Sequence, residues 1–310
     1  MLFNLMESYS SIISPEDYND LMDNQHLYIS ESDTHLINTL TNMSQHKHLE
    51  VVELGCGPIR FARKLAKIPN INLTAVDIDK NFVSYGKQAA LDEKLKINII
   101  NDNILHYKHN KPIDIVCTHG VHHHIFKGKN CNNYLLNIYN QLSENGYYFL
   151  IDEFIADYQN EHERNIKIII WYSHIIADAE SNQYYYLARE EAKTLLDDLQ
   201  EGSPDSNQPK TAEQLALIIS YASVINKYAV NNLMQEAQNS AKELLIKLGQ
   251  PTVSSPEDNE DSMRLSRRDY KICDKVFRKE ISSVGFIIED RVSFGPIDSI
   301  GGLSIYKIKK

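Results

Sequence analysis

From residue 49 the chain alternates short apolar runs with segments of helical spacing, and no other feature constrains the fold as much. Leu49–Leu54 reads as a strand ending in Gly55-Cys56-Gly57, and Phe61–Ile68 reads as a helix. Asn72–Ile78, Ile97–Ile100 and Ile113–Thr118 read as further strands, and Gly146–Glu153 as another after a turn at Glu144-Asn145-Gly146. Helices are expected between them over Phe82–Leu91 and Asn132–Leu142. Strands that alternate with helices in this way imply a parallel sheet with right-handed crossovers.

The flanking segments follow other patterns. Residues 1–48 are polar with scattered apolar positions and predict a helical cap. Ser14-Pro15-Glu16-Asp17 has the form of a helix start, and a second helix is expected over Thr34–Met43. Between residues 156 and 265 no strand is expected. Helical spacing runs through Asn160–Ala179, Leu187–Leu199, Ala212–Tyr228 and Asn232–Leu248. Breaks fall at Gly202-Ser203-Pro204-Asp205 and Gly249-Gln250-Pro251, and Ser254–Asp261 reads as an acidic loop. Ser266–Val284 then predicts a helix, and strands beginning at Gly285 and spanning Gly301–Ile308 predict a hairpin-like edge. The expected organisation is a cap over 1–48, an α/β domain over 49–155 and 266–310, and an all-α insertion over 156–265.

Composition narrows the function. With 32 Lys and Arg against 42 Asp and Glu, the net charge is −10. This argues against nucleic-acid or anionic-membrane partners, which need clustered basic residues. No apolar run approaches a membrane span, and the start has no basic region that would suit a signal peptide. The four cysteines (Cys56, Cys117, Cys131 and Cys273) form no CxxC pair, which reads as reduced thiols in a cytoplasmic protein. Tyrosine is abundant, at 18 against 9 Phe and 1 Trp, which suggests surfaces that are partly apolar and partly wet.

The chemistry is carried by four features in order. Val51-Val52-Glu53-Leu54-Gly55-Cys56-Gly57-Pro58 is a strand running into two glycines that permit a sharp turn and close approach of a ligand. Asp77 ends the next strand about 20 residues later, where a carboxylate meets ribose hydroxyls. Asn101-Asp102-Asn103-Ile104 follows the third strand, and Asp114–Gly120 is a fourth strand ending at the pocket. Together they resemble the class I S-adenosylmethionine (SAM)-dependent methyltransferases, over roughly residues 49–153 and 266–310. The resemblance implies a Rossmann-like, mostly parallel seven-stranded sheet with a C-terminal antiparallel strand. It also implies SAM as cofactor. By this resemblance Glu53 orients the loop, and Gly55, Cys56 and Gly57 lie under the methionine part. Asp77 holds the ribose with Ile78 beside the adenine, Asp102, Asn103 and Ile104 meet the base, and His119 or Gly120 lies near the sulfonium. Pro58 departs from the pattern, standing where many relatives have another glycine and removing an N–H donor.

The acceptor side is less defined. His122, His123 and His124 follow the fourth strand, and His123 is the candidate general base. No cysteine or carboxylate spacing supports a metal there, and none is expected. Asp152 and Glu153 end the fifth strand, where either holds an acceptor or caps a helix. Tyr172 and His174 on the insertion, and Tyr18 and Tyr28 in the cap, are aromatic candidates for the acceptor pocket or alternatively core residues. The insertion reads as a lid or as a homodimer contact. The leading expectation is methyl transfer to O or N of a small molecule in an enclosed, aromatic-lined pocket. Two alternatives stay open. One is cyclisation of the cofactor's aminobutyrate arm to azetidine-2-carboxylate with release of methylthioadenosine. The other is a non-catalytic SAM-binding protein.

Overall fold

The structure is a computed structural model and describes residues 9–125, 129–199, 210–249 and 271–310. It divides into two compact units. One comprises residues up to Asp152 with Phe277–Phe294 and Leu303–Lys310, and the other comprises Glu153–Val276 with Gly295–Gly302.

The first unit is built on a seven-stranded sheet. Its strands are β1 (Leu49–Leu54), β2 (Ile71–Asp77), β3 (Ile97–Asn101), β4 (Ile113–His119), β5 (Leu142–Ile155), β6 (Ile287–Phe294) and β7 (Gly301–Lys309), in the order β3-β2-β1-β4-β5-β7-β6. β1 pairs in parallel with both β2 and β4, and the order reverses between β1 and β4. Ligands bind in the crevice at such a switch point, outside the carboxyl ends of the strands. The central strands are buried on both faces, as for Leu49, Val51, Val52 and Leu54 in β1. β6 and β7 pair antiparallel, as the hairpin-like edge predicted. β7 lies inside because Leu303, Ile305, Tyr306 and Ile308 are all buried. β6 forms the edge, where its Glu289-Asp290-Arg291 stretch discourages pairing with another chain.

In chain order the helices of the first unit are α1 (Pro15–Asp20), α2 (Ile29–Ser44), α3 (Arg60–Leu65), α4 (Lys80–Asp92), α5 (His122–Ile125) and α6 (Lys129–Gln141). The Ser14 side chain accepts from the Asp17 N–H, as a helix cap should. α2 starts at Ile29, five residues before its sequence expectation, because Tyr28 takes a left-handed conformation (φ 65°) that turns the chain into the helix. The turn expected at Glu144-Asn145-Gly146 is absent as a separate element. β5 runs through it, and the register shifts from Ile113↔Leu142 to Ile115↔Tyr147. Gly146 allows this, since a Cβ there would lie 2.9 Å from the Ile113 carbonyl oxygen.

The second unit contains α7 (Glu161–Ser181), α8 (Tyr185–Leu199), α9 (Ala212–Val230) and α10 (Met234–Lys247). α11 (Asp274–Ser283) leads back to the sheet. Asn160 caps α7, and Thr211 with Gln214 forms a reciprocal capping box on α9. The break at Gly202-Ser203-Pro204-Asp205, most of that at Gly249-Gln250-Pro251, the acidic loop Ser254–Asp261 and the start of the helix at Ser266 lie outside the described residues. Among the described residues no helix is long and apolar enough to cross a membrane, and all four cysteines are free and buried.

The loop after β1 depends on a close helix contact. Ile59 is fully buried and left-handed (φ 59°), a strained conformation for a β-branched residue. Its side chain packs on Gly86 of α4, where an added Cβ would lie 2.7 Å from Ile59 Cγ2. Gly86→Ala is expected to destabilise the protein by about 1–3 kcal/mol through overpacking. Urea unfolding checks this, and an unchanged midpoint would refute it.

Candidate functional site

The loop after β1 meets the switch point with its backbone. Gly55 has φ 76°, and a Cβ on it would lie 2.5 Å from Val121 Cγ2, so no larger residue fits. Gly57 has φ 51° and donates its N–H to Asp77 Oδ2 at 2.7 Å. Asp77 Oδ1 accepts from the Asp79 N–H at 2.8 Å. The Asp77 carboxylate is thereby fixed at the end of β2. Burial raises its pKa, opposed by these backbone bonds. Ile78 beside it is 59% exposed, an uncovered apolar face next to a carboxylate. Asp102 is exposed and accepts from the Asn103 N–H at 2.7 Å. Its own N–H donates to the Asp77 carbonyl, which holds the β3 loop against the end of β2. Ile104 is half-buried, and Cys56 is buried.

Glu53 is the unusual member of this group. It is buried at the end of β1, and its Oε2 meets no hydrogen-bond donor among the described residues. Burial pushes its pKa up to about 8, against the attraction of Arg60 and with help from Asp33 and Asp77. A buried carboxylate with an open acceptor beside a glycine loop is suited to a cationic ligand.

A buried ion network that sequence reasoning missed stands next to it. Asp33 of α2 accepts from Arg60 Nη1 at 2.5 Å and Nη2 at 3.1 Å, and from Lys64 Nζ at 2.7 Å. Asp23 accepts from the same Arg60 and Lys64. His119 Nε2 lies 3.1 Å from Asp33 Oδ1, off line for a hydrogen bond. Burial would raise the Asp33 pKa, but the contacts of His119 and Arg60 outweigh it and hold the carboxyl far below its ordinary range. Burial lowers the pKa of His119, which is therefore neutral at pH 7. One signal was available in the sequence. Arg60 sits in the first turn of α3, where the helix dipole disfavours a cation unless an anion compensates it.

The cap reaches this loop at two further points. Ser10 donates from its N–H and its Oγ to Asp79, both at 3.0 Å. The Tyr18 ring lies 5.7 Å from that of Phe82, and its Cε1 would be 3.9 Å from a Cβ on Gly57. Tyr28 instead packs against the core of the first unit.

Across the switch point, Gly120 (φ 64°) follows β4 and opens into α5. His123 Nδ1 lies 2.5 Å from Asp152 Oδ1, and the His123 N–H donates to Asp152 Oδ2 at 3.1 Å. Two residues assigned separate roles from sequence thus form one dyad. His123 Cε1 would lie 3.8 Å from a Cβ on Gly120. The His124 ring stacks 4.0 Å from that of His123, while His122 is fully buried.

Residues 51–146 match the family profile described as a methyltransferase domain. Over these residues the chain is similar to that domain. The magnesium protoporphyrin IX methyltransferase of Synechocystis PCC 6803, solved with bound SAH, has a similar fold. Its TM-score is 0.50 at 12% identity, over 97% of this chain and 95% of that one. An S-adenosylmethionine-dependent methyltransferase of Clostridium acetobutylicum gives 0.49 at 11% identity, over 95% and 96%. No curated protein sequence matches the chain.

Three candidates lie outside the residues that match this profile, within the second unit. The Tyr172 hydroxyl donates to Asp198 at 2.9 Å, and Lys271 Nζ lies 5.6 Å from the centre of its ring. His174 Nδ1 is 3.0 Å from Asn226 Oδ1. Glu153 is ion-paired with Lys271. Successive residues of a strand point to opposite faces, so Asp152 and Glu153 cannot serve the same group. Tyr172 is fully buried, so its replacement is expected to cost packing as well as any contact it makes.

Two outcomes follow for the buried charges. Asp33→Asn leaves the buried Arg60 with only the partly exposed Asp23 as its anion and is expected to cost about 3 kcal/mol in chemical unfolding at neutral pH. Glu53 binds a proton in the native state between its ordinary 4.5 and about 8, while the unfolded chain does not. Wild-type stability therefore falls as pH rises through that window. Glu53→Gln removes this slope, so its stability relative to wild type should grow from pH 5 to pH 8. Parallel slopes would refute the buried proton.

Proposed function

We propose that the protein is a SAM-dependent methyltransferase acting on an O–H or N–H group of a small molecule, with His123 as general base held by Asp152. The cofactor is S-adenosylmethionine, which supplies an activated methyl on a sulfonium. The residues suit it. Glu53 Oε2 is a buried acceptor that the cofactor's ammonium satisfies, and the glycine conformations let a ligand approach the backbone. Asp77 has lone pairs for the ribose hydroxyls, and the exposed Ile78 offers an apolar face to the base. Asp102 and Asn103 supply polar groups at the rim.

The reading rests on the His123–Asp152 dyad. An acceptor amine or phenol is protonated near pH 7 and must lose its proton as it attacks. Asp152 accepts a hydrogen bond from Nδ1–H of His123, which selects the tautomer with its lone pair on Nε2 and stabilises the imidazolium that forms. Its second oxygen, bonded to the His123 N–H, fixes the backbone of the same residue. The remaining catalytic contribution is alignment, since the methyl is already reactive. The net charge of −10 favours a small acceptor over a polyanion.

His123→Gln and Asp152→Asn are expected to lower kcat by about 10²–10⁴-fold. Calorimetry should find SAH affinity near wild type in both variants and weakened in Asp77→Ala. Absence of SAH binding, or binding indifferent to Asp77→Ala, would overturn the enzymatic reading. Methylthioadenosine released from SAM without an acceptor would replace methyl transfer by cyclisation.

A further inference from the structure

His122 is the histidine of the triplet with none of its surface exposed, and the groups around it come from distant parts of the chain. Its Nε2 lies 3.7 Å from Glu280 Oε2 on α11. Cys131 of α6 places its Sγ 3.5 Å from the same oxygen. One ligand atom from each residue lies within 4.8 Å of the other two. The Phe277 ring stands edge-on to His122 at 5.2 Å and 83°, which restricts the imidazole's orientation.

We propose that His122, Cys131 and Glu280 form a zinc-class metal site joining α5, α6 and α11. The donor set is one imidazole, one thiol and one carboxylate. Magnesium and calcium prefer oxygen donors alone, whereas zinc accepts nitrogen, sulfur and oxygen together. With Zn–S near 2.3 Å and Zn–N and Zn–O near 2.0–2.1 Å, tetrahedral ligand atoms stand roughly 3.3–3.6 Å apart. The two separations from Glu280 are within a few tenths of an ångström of that spacing. Without an ion, the thiol proton bridges Cys131 to Glu280. Binding replaces that proton, so one proton leaves to solvent as the thiolate joins the metal. The fourth tetrahedral position goes to a solvent ligand. No spacing motif announces the site, because Cys131 and Glu280 are 149 positions apart. It departs from the expectation from sequence that the histidine cluster binds no metal.

The test is metal binding by the full chain, which does not depend on methyl transfer. Chelator-stripped protein titrated with cobalt should develop a thiolate-to-cobalt charge-transfer band in the near ultraviolet, and zinc should abolish it at one equivalent. Outer partners of a ligand change affinity by about 10–100-fold, so loss of a ligand should cost at least as much. Cys131→Ser should remove the band, and Glu280→Gln should weaken zinc binding by at least about tenfold. At one fixed concentration, zinc should raise the Tm of wild type by more than that of either variant. Glu280 is partly exposed, so Glu280→Gln keeps the test open if Cys131→Ser misfolds. No charge-transfer band, or zinc binding unchanged in Glu280→Gln, would overturn the proposal and leave an ordinary thiol hydrogen bond and ion pair.

Discussion

The buried carboxylate of Asp33 ties together the cap helix α2, the helix after the glycine loop and the end of β4. It holds Arg60 and Lys64 of the helix after the glycine loop and meets His119 at the end of β4. A charge this far from water persists only when its partners are in place, because desolvation costs several kcal/mol per ion. The cap helix, the helix after the glycine loop and the end of β4 therefore meet at one satisfied group, with Asp23 sharing its two cations. Had Asp33 been apolar, Arg60 would have kept only the partly exposed Asp23 as a partner and the turn into α3 would have lost its buried anchor. Neutral His119 follows from the same arrangement, since burial and the nearby guanidinium both oppose a second positive charge.

Around this point the acidic residues divide by environment. Asp33 remains ionised because cations surround it, whereas Glu53, no less buried, gains a proton because Arg60 alone cannot offset desolvation. Two carboxylates in one neighbourhood thus have opposite protonation preferences. The first is an ionised member of a salt-bridge network, and the second is a protonated carboxyl with an open acceptor. Asp152 has a third environment, clasping both the ring and the backbone of His123. The net negative charge of the chain gave no hint of these separate roles.

Much of the fold was legible because its signals are local. The strand at Leu49–Leu54, the glycines after it and Asp77 about 20 residues on are consequences of a β-α-β unit whose periodicity lies within short windows. The strand boundaries of β1, β2, β3 and β4 fell within a residue or two of expectation for that reason. The Glu144-Asn145-Gly146 turn did not, because whether a polar Gly-containing stretch turns or bulges depends on the neighbouring strand, here the Ile113 carbonyl. The start of α2 escaped for a similar reason, since the left-handed Tyr28 that begins it is stabilised by packing against the core.

The sequence alone determined the alternating sheet, the glycine loop and the placement of Glu53, Asp77 and Asp102 at strand ends, because these follow from spacing along the chain. Tertiary structure decided which groups meet. His123 finds Asp152, Asp33 finds Arg60 and His119, and Cys131 finds Glu280 only when β5 meets α5, α2 meets α3 and the end of β4, and α11 meets α6. Such pairs are separated by tens to more than a hundred positions, so no window of sequence contains them. Their chemistry depends on desolvation, which no residue has until the chain has folded around it.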